Sequence, residues 1–183
     1  QVSVVSMRRP SALVDQFADL GVSVHSLDMP RRIPDPRALI RLTRFLRATK
    51  PDVLHCHMYH ANILGRVTRM FVRIPVVVSN AHNIYEGGLF RELMYRLTNR
   101  LSDVTTNVCK AAVDRYVKRH IVPKGKIRLV YNGIDTARFT QGTVSSARAR
   151  EELGLGGEFV WLAIGALSER KDYGNLLNAF PKV

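Results

Sequence analysis

Asp52-Val53-Leu54-His55-Cys56-His57, then Ala61 to Val72, then Pro75-Val76-Val77-Val78-Ser79-Asn80, is the stretch whose reading decides the fold. The first and last runs are short, apolar and rich in β-branched residues, the signature of buried strands. The middle run has the length and patterning of a helix. A strand, a helix and a second strand in that order predict a parallel pair with its crossover helix packed on one face.

The same alternation extends in both directions. Upstream, Val2 to Val5 reads as a strand, Ser11 to Leu20 as a helix closed by Gly21, and Val22 to Leu27 as an alternating strand. Asp35-Pro36 then opens a helix to Thr49, with Asp35 as N-cap and Pro36 at the first position. Downstream, a loop from His82 to Gly88 leads into a helix from Leu89 to Leu101. Val104 to Val108 is a strand, Ala111 to His120 a helix and Ile127 to Tyr131 a strand. Six strands alternating with helices predict an α/β, Rossmann-like parallel sheet over residues 1–133.

After Asn132-Gly133 the composition changes. Thr140 to Ser146 is polar and loop-like, and Ser146 to Leu153 a short helix closed by Gly154. Glu158 to Gly165 reads as a very apolar strand, and Asp172 to Phe180 as the following helix. A lone β-α unit cannot bury its own faces. Residues 134–183 therefore read as a linker and the truncated start of a second Rossmann-like domain.

The totals bound the class. Hydrophobic residues are 46% and charged residues 23% of the 183, values that exclude a disordered chain. The 28 Lys and Arg outnumber 15 Asp and Glu, leaving a formal charge of +13 that favours anionic partners: nucleic acid, acidic lipid or phosphorylated substrates. Cys56 and Cys109 show no paired spacing, so no disulfide framework is expected and a reducing cytosol fits. The longest apolar run, Phe159 to Leu167, is far short of a membrane helix. No signal peptide is read, and without an initiator Met the natural beginning is expected upstream.

In open parallel sheets, ligands bind at the carboxyl ends of the strands, and the polar residues of this chain gather at those ends. His55 and His57 share a strand face, with His60 just beyond and His82 after the next strand. These four are a candidate zinc set, but their spacing matches no common site and no metal is expected. His57, nearest the tip, is placed to orient a hydroxyl or accept its proton, whereas His55 reads as a hydrogen-bonded strand-end residue. His82, Asn83, Glu86 and Gly87 lie on a loop suited to a polar substrate. Gly165 to Asp172 joins a strand to a helix, and Arg170 and Lys171 there make an anion site. Neither GxGxxG nor Walker A occurs, which counts against dinucleotide or P-loop ATP binding. Arg37, Arg41, Arg44 and Arg47 line one side of the helix after Asp35, either a solvated basic face or a membrane-surface contact.

Four motifs in register carry a family resemblance: Lys50 to Gly65, His82-Asn83 with Glu86-Gly87-Gly88, Lys126 to Asp135 followed by Phe139, and Gly165 to Lys171 followed by Asp172-Tyr173 and Asn175-Leu176-Leu177. Together they span nearly the whole chain, which resembles glycosyltransferase family 4. The resemblance implies a GT-B architecture, with residues 1–133 as most of the acceptor-side domain, lacking its first strand. It implies retaining transfer of a sugar from a nucleotide-diphosphate donor, without a bound metal or other cofactor. His57 and Lys171 would be catalytic, Lys171 stabilising the departing diphosphate. Gly165, Arg170, Asn132 and Gly133 would contact the donor, and His60, His82, Asn83, Glu86 and Gly87 the acceptor.

The partners so implied are a nucleotide sugar and a glycan or lipid-linked acceptor in cell-envelope synthesis. The unpaired cysteines suggest a cytoplasmic place, the basic character suggests peripheral contact with an anionic inner membrane face, and the lack of aromatic-basic interleaving or a recognition motif suggests no specific nucleic acid. The chain departs from the family pattern in several ways. Ala166 stands where Arg is usual and Cys109 where Ser is common. The glycine-rich loop after the first strand and the C-terminal pair of glutamates eight apart are absent. The chain alone is therefore expected to transfer sugar poorly. The rival readings are a GT-B-like epimerase and a non-catalytic anion- or nucleic-acid-binding α/β domain.

Overall fold

A computed structural model describes residues 1–10, 13–30, 35–137, 139–140 and 145–182, apart from the side chains of Arg170 and Lys182. Two compact units divide it, Gln1–Gly133 and Ile134–Val183.

In the first unit, parallel strands alternate with helices: β1 (Ser3–Ser6), α1 (Val14–Asp19), β2 (Ser23–Ser26), α2 (Arg37–Thr49), β3 (Val53–His57), α3 (Tyr59–Thr68), β4 (Val76–Ala81), α4 (Gly88–Thr98), β5 (Val104–Asn107), α5 (Lys110–Lys118) and β6 (Ile127–Leu129). All six expected strands form. The helix expected from Ser11 is described only from Val14, Ser11 itself lying outside the described residues.

The strands make two sheets rather than one: β1 pairs with β2, and β3-β4-β5-β6 pair in chain order. No β1 or β2 residue is in register with a residue of β3. The apolar pattern that marks a strand fixes which face it buries, but not which neighbour completes its ladder. One core nevertheless serves both sheets. Leu27, Ala38, Leu42, Leu46, Ile74 and Val77 are buried together, with Val5 of β1 and Leu54 of β3 packed against them.

The expected start of α2 is recognisable. The Asp35 carboxylate accepts from the Arg37 N–H at 2.9 Å, taking one of the donors a helix start leaves unpaired. The helix turns Ala38, Leu42 and Leu46 into the core. Arg41 donates to the Leu27 carbonyl at 2.5 Å and Arg47 to the Phe71 carbonyl at 3.1 Å, so two of the four arginines tie the helix to its neighbours.

Beneath β4 and β5 sits an Arg with no carboxylate. Arg66 of α3 is fully buried and donates to Ser79 Oγ, Tyr95 O, Thr98 Oγ1 and Thr105 Oγ1 at 2.9–3.2 Å, with its guanidinium 4.8 Å from the Tyr95 ring centroid. Burial pulls its pKa down to about 10, which leaves it charged at neutral pH. Gly65 lets α3 lie against β3, since a Cβ there would collide with Cys56 Sγ.

The second unit comprises α6 (Ser146–Glu152), a 3-10 turn at Glu169–Lys171, α7 (Tyr173–Ala179) and a further 3-10 turn at Phe180–Lys182. Ser145 caps α6 through its hydroxyl, 3.2 Å from the Arg148 N–H. Residues 141–144 of the expected loop lie outside the described residues. The strand expected at Glu158 to Gly165 is not formed, and the segment is unladdered chain with its large apolar side chains exposed. A strand needs a partner for its N–H and C=O groups, and none is present among the described residues of this unit. Edge-to-face contacts of Phe159 with Trp161 (5.5 Å) and Trp161 with Phe180 (6.1 Å) hold the segment instead.

Candidate active site

The register of the four-stranded sheet brings the ends of its strands level: His57 lies opposite Asn80, and Ala81 opposite Asn107. The side chains that emerge there form one cluster. The two-residue strand period stacks His55 on His57, ring centroids 4.2 Å apart. His57 Nδ1 is 3.1 Å from His82 Nε2 and 3.4 Å from the Asn80 amide nitrogen.

Both contacts at His57 Nδ1 are satisfied when that nitrogen accepts. The Asn80 amide donates to it, and so does the N–H on His82 Nε2. A neutral His57 then carries its proton on Nε2, which presents a donor rather than an acceptor to a ligand. Burial first, then the neighbouring rings of His55 and His82, holds the His57 pKa below the ordinary imidazole value. His55 is lowered for the same two reasons, and His60 by burial and then by the Arg91 charge. His60 sits on the first turn of α3, edge-on to Tyr59 at 5.2 Å. Among the described residues, no group of three or more His, Cys, Asp or Glu side chains is arranged to hold a metal ion.

The loop between β4 and α4 divides its roles. Its backbone reverses through Gly87 and Gly88, with φ of 96° and 72°, a conformation that suits glycine. Gly88 N–H donates to the Tyr85 hydroxyl at 2.7 Å. Asn83 is half-buried, and its carbonyl accepts from the Asn107 amide at 3.4 Å. Glu86 does not face solvent as a substrate-loop carboxylate would: it is buried, and its Oε1 has no hydrogen-bond partner. Burial raises its pKa, against the opposing pull of the Arg91 guanidinium. Arg91 stacks over Tyr59 at 4.8 Å and donates to the Glu86 carbonyl at 2.6 Å.

Asn80, Asn107, Tyr59 and Arg91 escaped the sequence reading, although they position the cluster. Asn62 also did; its amide bridges the Asn80 carbonyl (3.0 Å) and the Tyr95 hydroxyl (2.9 Å). The available signal was a run of small polar residues, Ser79-Asn80 and Thr105-Thr106-Asn107, at the inner ends of strands where apolar residues are usual.

Asn132 and Gly133 follow β6 and are exposed, and a Cβ on Gly133 would meet nothing within 4 Å. The second unit carries the remaining residues. There Gly165 lies against the side chains of the following turn: a Cβ on it would stand 2.7 Å from the Tyr173 hydroxyl and 3.7 Å from Lys171 Cε. Lys171 closes the 3-10 turn, its N–H on the Ser168 carbonyl at 2.9 Å, and Asp172 follows at φ 50°. The Arg170 side chain lies outside the described residues.

Comparison with known proteins gives this geometry a context. Residues 1–138 match the family model described as Glycosyltransferase Family 4. A curated Escherichia coli protein, UDP-Gal:alpha-D-GlcNAc-diphosphoundecaprenol alpha-1,3-galactosyltransferase, is 27% identical over 148 residues, 76% of this chain and 38% of that protein. Anabaena Alr3699/HepE in complex with UDP and glucose superposes with a TM-score of 0.77 at 16% identity, over 98% of this chain and 50% of that one. Its complex with UDP-glucose gives 0.74 at 16% identity, over 97% and 49%. The likeness to these structures shows a shared fold, the Rossmann-like architecture of GT-B. The chain spans half or less of the length of both of these relatives.

Proposed function

This chain belongs to glycosyltransferase family 4, and on that premise we propose that it serves the transfer of a sugar, with retention, from a nucleotide-diphosphate donor to a lipid-linked acceptor in envelope glycan synthesis. The observation that carries the reading is the family match over residues 1–138, which falls on the sheet whose carboxyl edge gathers His57, His82 and Asn80. A uridine diphosphate sugar is favoured as donor because the curated relative's name specifies UDP-Gal, and a diphosphate-linked lipid as acceptor because that name specifies one.

The reaction breaks the bond between the anomeric carbon and the diphosphate oxygen. It forms one to an acceptor hydroxyl, whose proton leaves with the departing diphosphate. Two charges need stabilising: the cationic sugar centre and the growing anion. His57, with its proton on Nε2, would hold a sugar or acceptor oxygen by donating to it. His82 fixes that tautomer through its own N–H, and His60, Asn83 and Gly87 frame the acceptor side. Glu86, buried beside Arg91, would shape the loop rather than touch the ligand. In the second unit, Lys171 and Arg170 would take the diphosphate, with Gly165 letting it approach the backbone. No resident metal or cofactor is needed, because these cations supply the charge. Free cysteines and the basic surface suit the cytosolic side of a membrane.

The test is transfer of labelled sugar from UDP-galactose and UDP-glucose to a polyprenyl-diphosphate-linked acceptor. It is measured on the 183-residue chain and on a longer polypeptide containing it. Product with a retained anomeric configuration, made by the longer polypeptide and lost in His57→Ala, is expected. Release of a free epimer without acceptor would overturn the reading.

A further inference from the structure

A single residue stands between β3 and α3. The strand ends at His57, the helix begins at Tyr59, and Met58 alone makes the connection. Strand-to-helix connections ordinarily take roughly 2–6 residues. Here the helix returns at once along β3, where Gly65 makes room for Cys56 Sγ.

The turn is strained. Met58 has φ 73° and ψ 159°, a backbone conformation almost confined to glycine because a side chain collides there. Leu13, Lys50 and Asp172 also have positive φ, but with ψ of −1°, 56° and 44° they are left-handed helical, a region that side chains tolerate better. Nothing local favours Met at position 58. Its side chain is 48% exposed. It starts α3 without a side-chain cap, where Ser, Thr, Asp or Asn would supply one.

A ring of hydrogen bonds holds the turn. Met58 N–H donates to the Asn80 carbonyl at 3.0 Å, and Asn62 N–H donates to the Met58 carbonyl at 2.9 Å. The Asn62 side-chain amide closes the ring on the same Asn80 carbonyl at 3.0 Å. Asn62 is completely buried. The opposite orientation of its amide would set oxygen against that carbonyl, so the present one is fixed, and it leaves Oδ1 without a partner. An apolar side chain would avoid that cost, so the gain lies in what the amide holds. Asn80, gripped in this way, lies opposite His57 in register and meets its Nδ1 at 3.4 Å.

We propose that Asn62 is a positioning residue for His57. Through the Asn80 carbonyl it keeps Met58 in its strained turn, and the turn fixes the imidazole on Asn80 and His82 in the tautomer that carries its proton on Nε2. A relaxed turn would be more stable and would leave the ring free to take either tautomer. This deepens the proposed function and rests on its use of His57 as a donor to a sugar or acceptor oxygen. The test reads the imidazole alone, with no sugar nucleotide or acceptor present, so a failure of transfer and a failure of the clamp are separate results.

The experiment is long-range proton–nitrogen correlation spectroscopy of the 183-residue chain at about pH 8, where imidazoles are neutral and the spectrum reports which ring nitrogen carries the proton. The His57 signals are those lost in His57→Gln, and the urea midpoint of each variant reports its stability. The unsubstituted chain should show His57 protonated on Nε2. Met58→Gly should keep or raise the urea midpoint, because glycine suits the turn and an exposed side chain is removed. It should nevertheless shift the His57 tautomer ratio towards Nδ1 by at least about fivefold, the factor that one net hydrogen bond supplies. Asn62→Ala should lower the midpoint and shift the ratio likewise. Adding Met58→Gly to it should recover part of the midpoint and none of the ratio. Stability and imidazole order then part company at Met58, which a purely structural turn would not show. An unchanged ratio in Met58→Gly would overturn the proposal, whether or not Asn62→Ala folds. So would a lowered urea midpoint in Met58→Gly, which would mean that the turn stores no strain.

Discussion

Val76–Ala81 and Phe159–Ile164 are both short, uncharged, largely apolar runs bounded by turn residues, and by pattern alone either would be a buried strand. The first is a central strand, laddered to β3 on one side and β5 on the other, with Val77 completely buried. The second forms no strand and exposes Phe159, Trp161, Leu162 and Ile164. The difference lies outside the segments. A strand is stabilised by pairs of residues on adjacent chains, and among the described residues β4 has two neighbours where 159–164 has none. Apolar sequence supplies the tendency, and the ladder supplies the structure.

That comparison can be broken or sharpened by measurement. Amides of Val76–Ala81 should exchange with deuterium at least about a thousandfold more slowly than those of Phe159–Ile164, because only the former need global opening. Equal protection would mean that 159–164 has found a ladder. Among substitutions, the largest loss is expected beneath β4. Arg66→Ala removes four hydrogen bonds and leaves a void under the sheet, and should lower unfolding free energy in urea by about 3–5 kcal/mol. Gly65→Ala, which forces β3 and α3 apart at Cys56, should cost about 1–3 kcal/mol. Val77→Ala should cost roughly 2 kcal/mol, whereas Ile164→Ala, which removes more carbon, should stay within about 0.5 kcal/mol. A longer polypeptide in which Ile164→Ala costs as much as Val77→Ala would show that a partner strand buries the segment there.

The smallest effect concerns protons at the strand ends. His55, His57 and His60 have folded-state pKa values below the ordinary 6.5. Below that pH the unfolded chain binds more protons than the folded one, so stability is complete above about 6.5 and falls as pH drops towards the folded values. The urea midpoint of the first unit should therefore shift downward between about pH 7 and 5. The shift should shrink in His57→Gln, and a flat profile in the unsubstituted chain would remove the support for a neutral His57.

What the sequence disclosed follows from what is local. The period of two put His55 and His57 on one face, and the Asp35-Pro36 pair marked the start of α2, because both effects act within a few residues. Non-local arrangements were hidden. The division into two sheets depends on which edges meet. The Arg66 network joins α3, α4, β4 and β5, and only the small polar residues Ser79 and Thr105, on strands expected to be buried, hinted at a polar centre. Glu86 read as a surface loop carboxylate because nothing in Tyr85-Glu86-Gly87 shows that the turn folds it inward. The helix α4 was legible as a helix, but not which side it buries: Tyr95 packs into the core, and Glu92 pairs with Arg115 and Arg119, more than twenty residues away.

The exposed run Phe159-Val160-Trp161-Leu162-Ala163-Ile164 also governs how the chain behaves in a test tube. Six consecutive uncharged residues without proline, rich in aromatic and β-branched side chains, match the composition that stacks into cross-β assemblies. With its backbone unladdered, one copy can take its missing neighbour from another, and the net charge of +13 opposes that approach only while salt is low. Turbidity should then rise with both protein concentration and ionic strength. Shelf life would thus be set by a half-dozen residues that contribute almost nothing to folding stability.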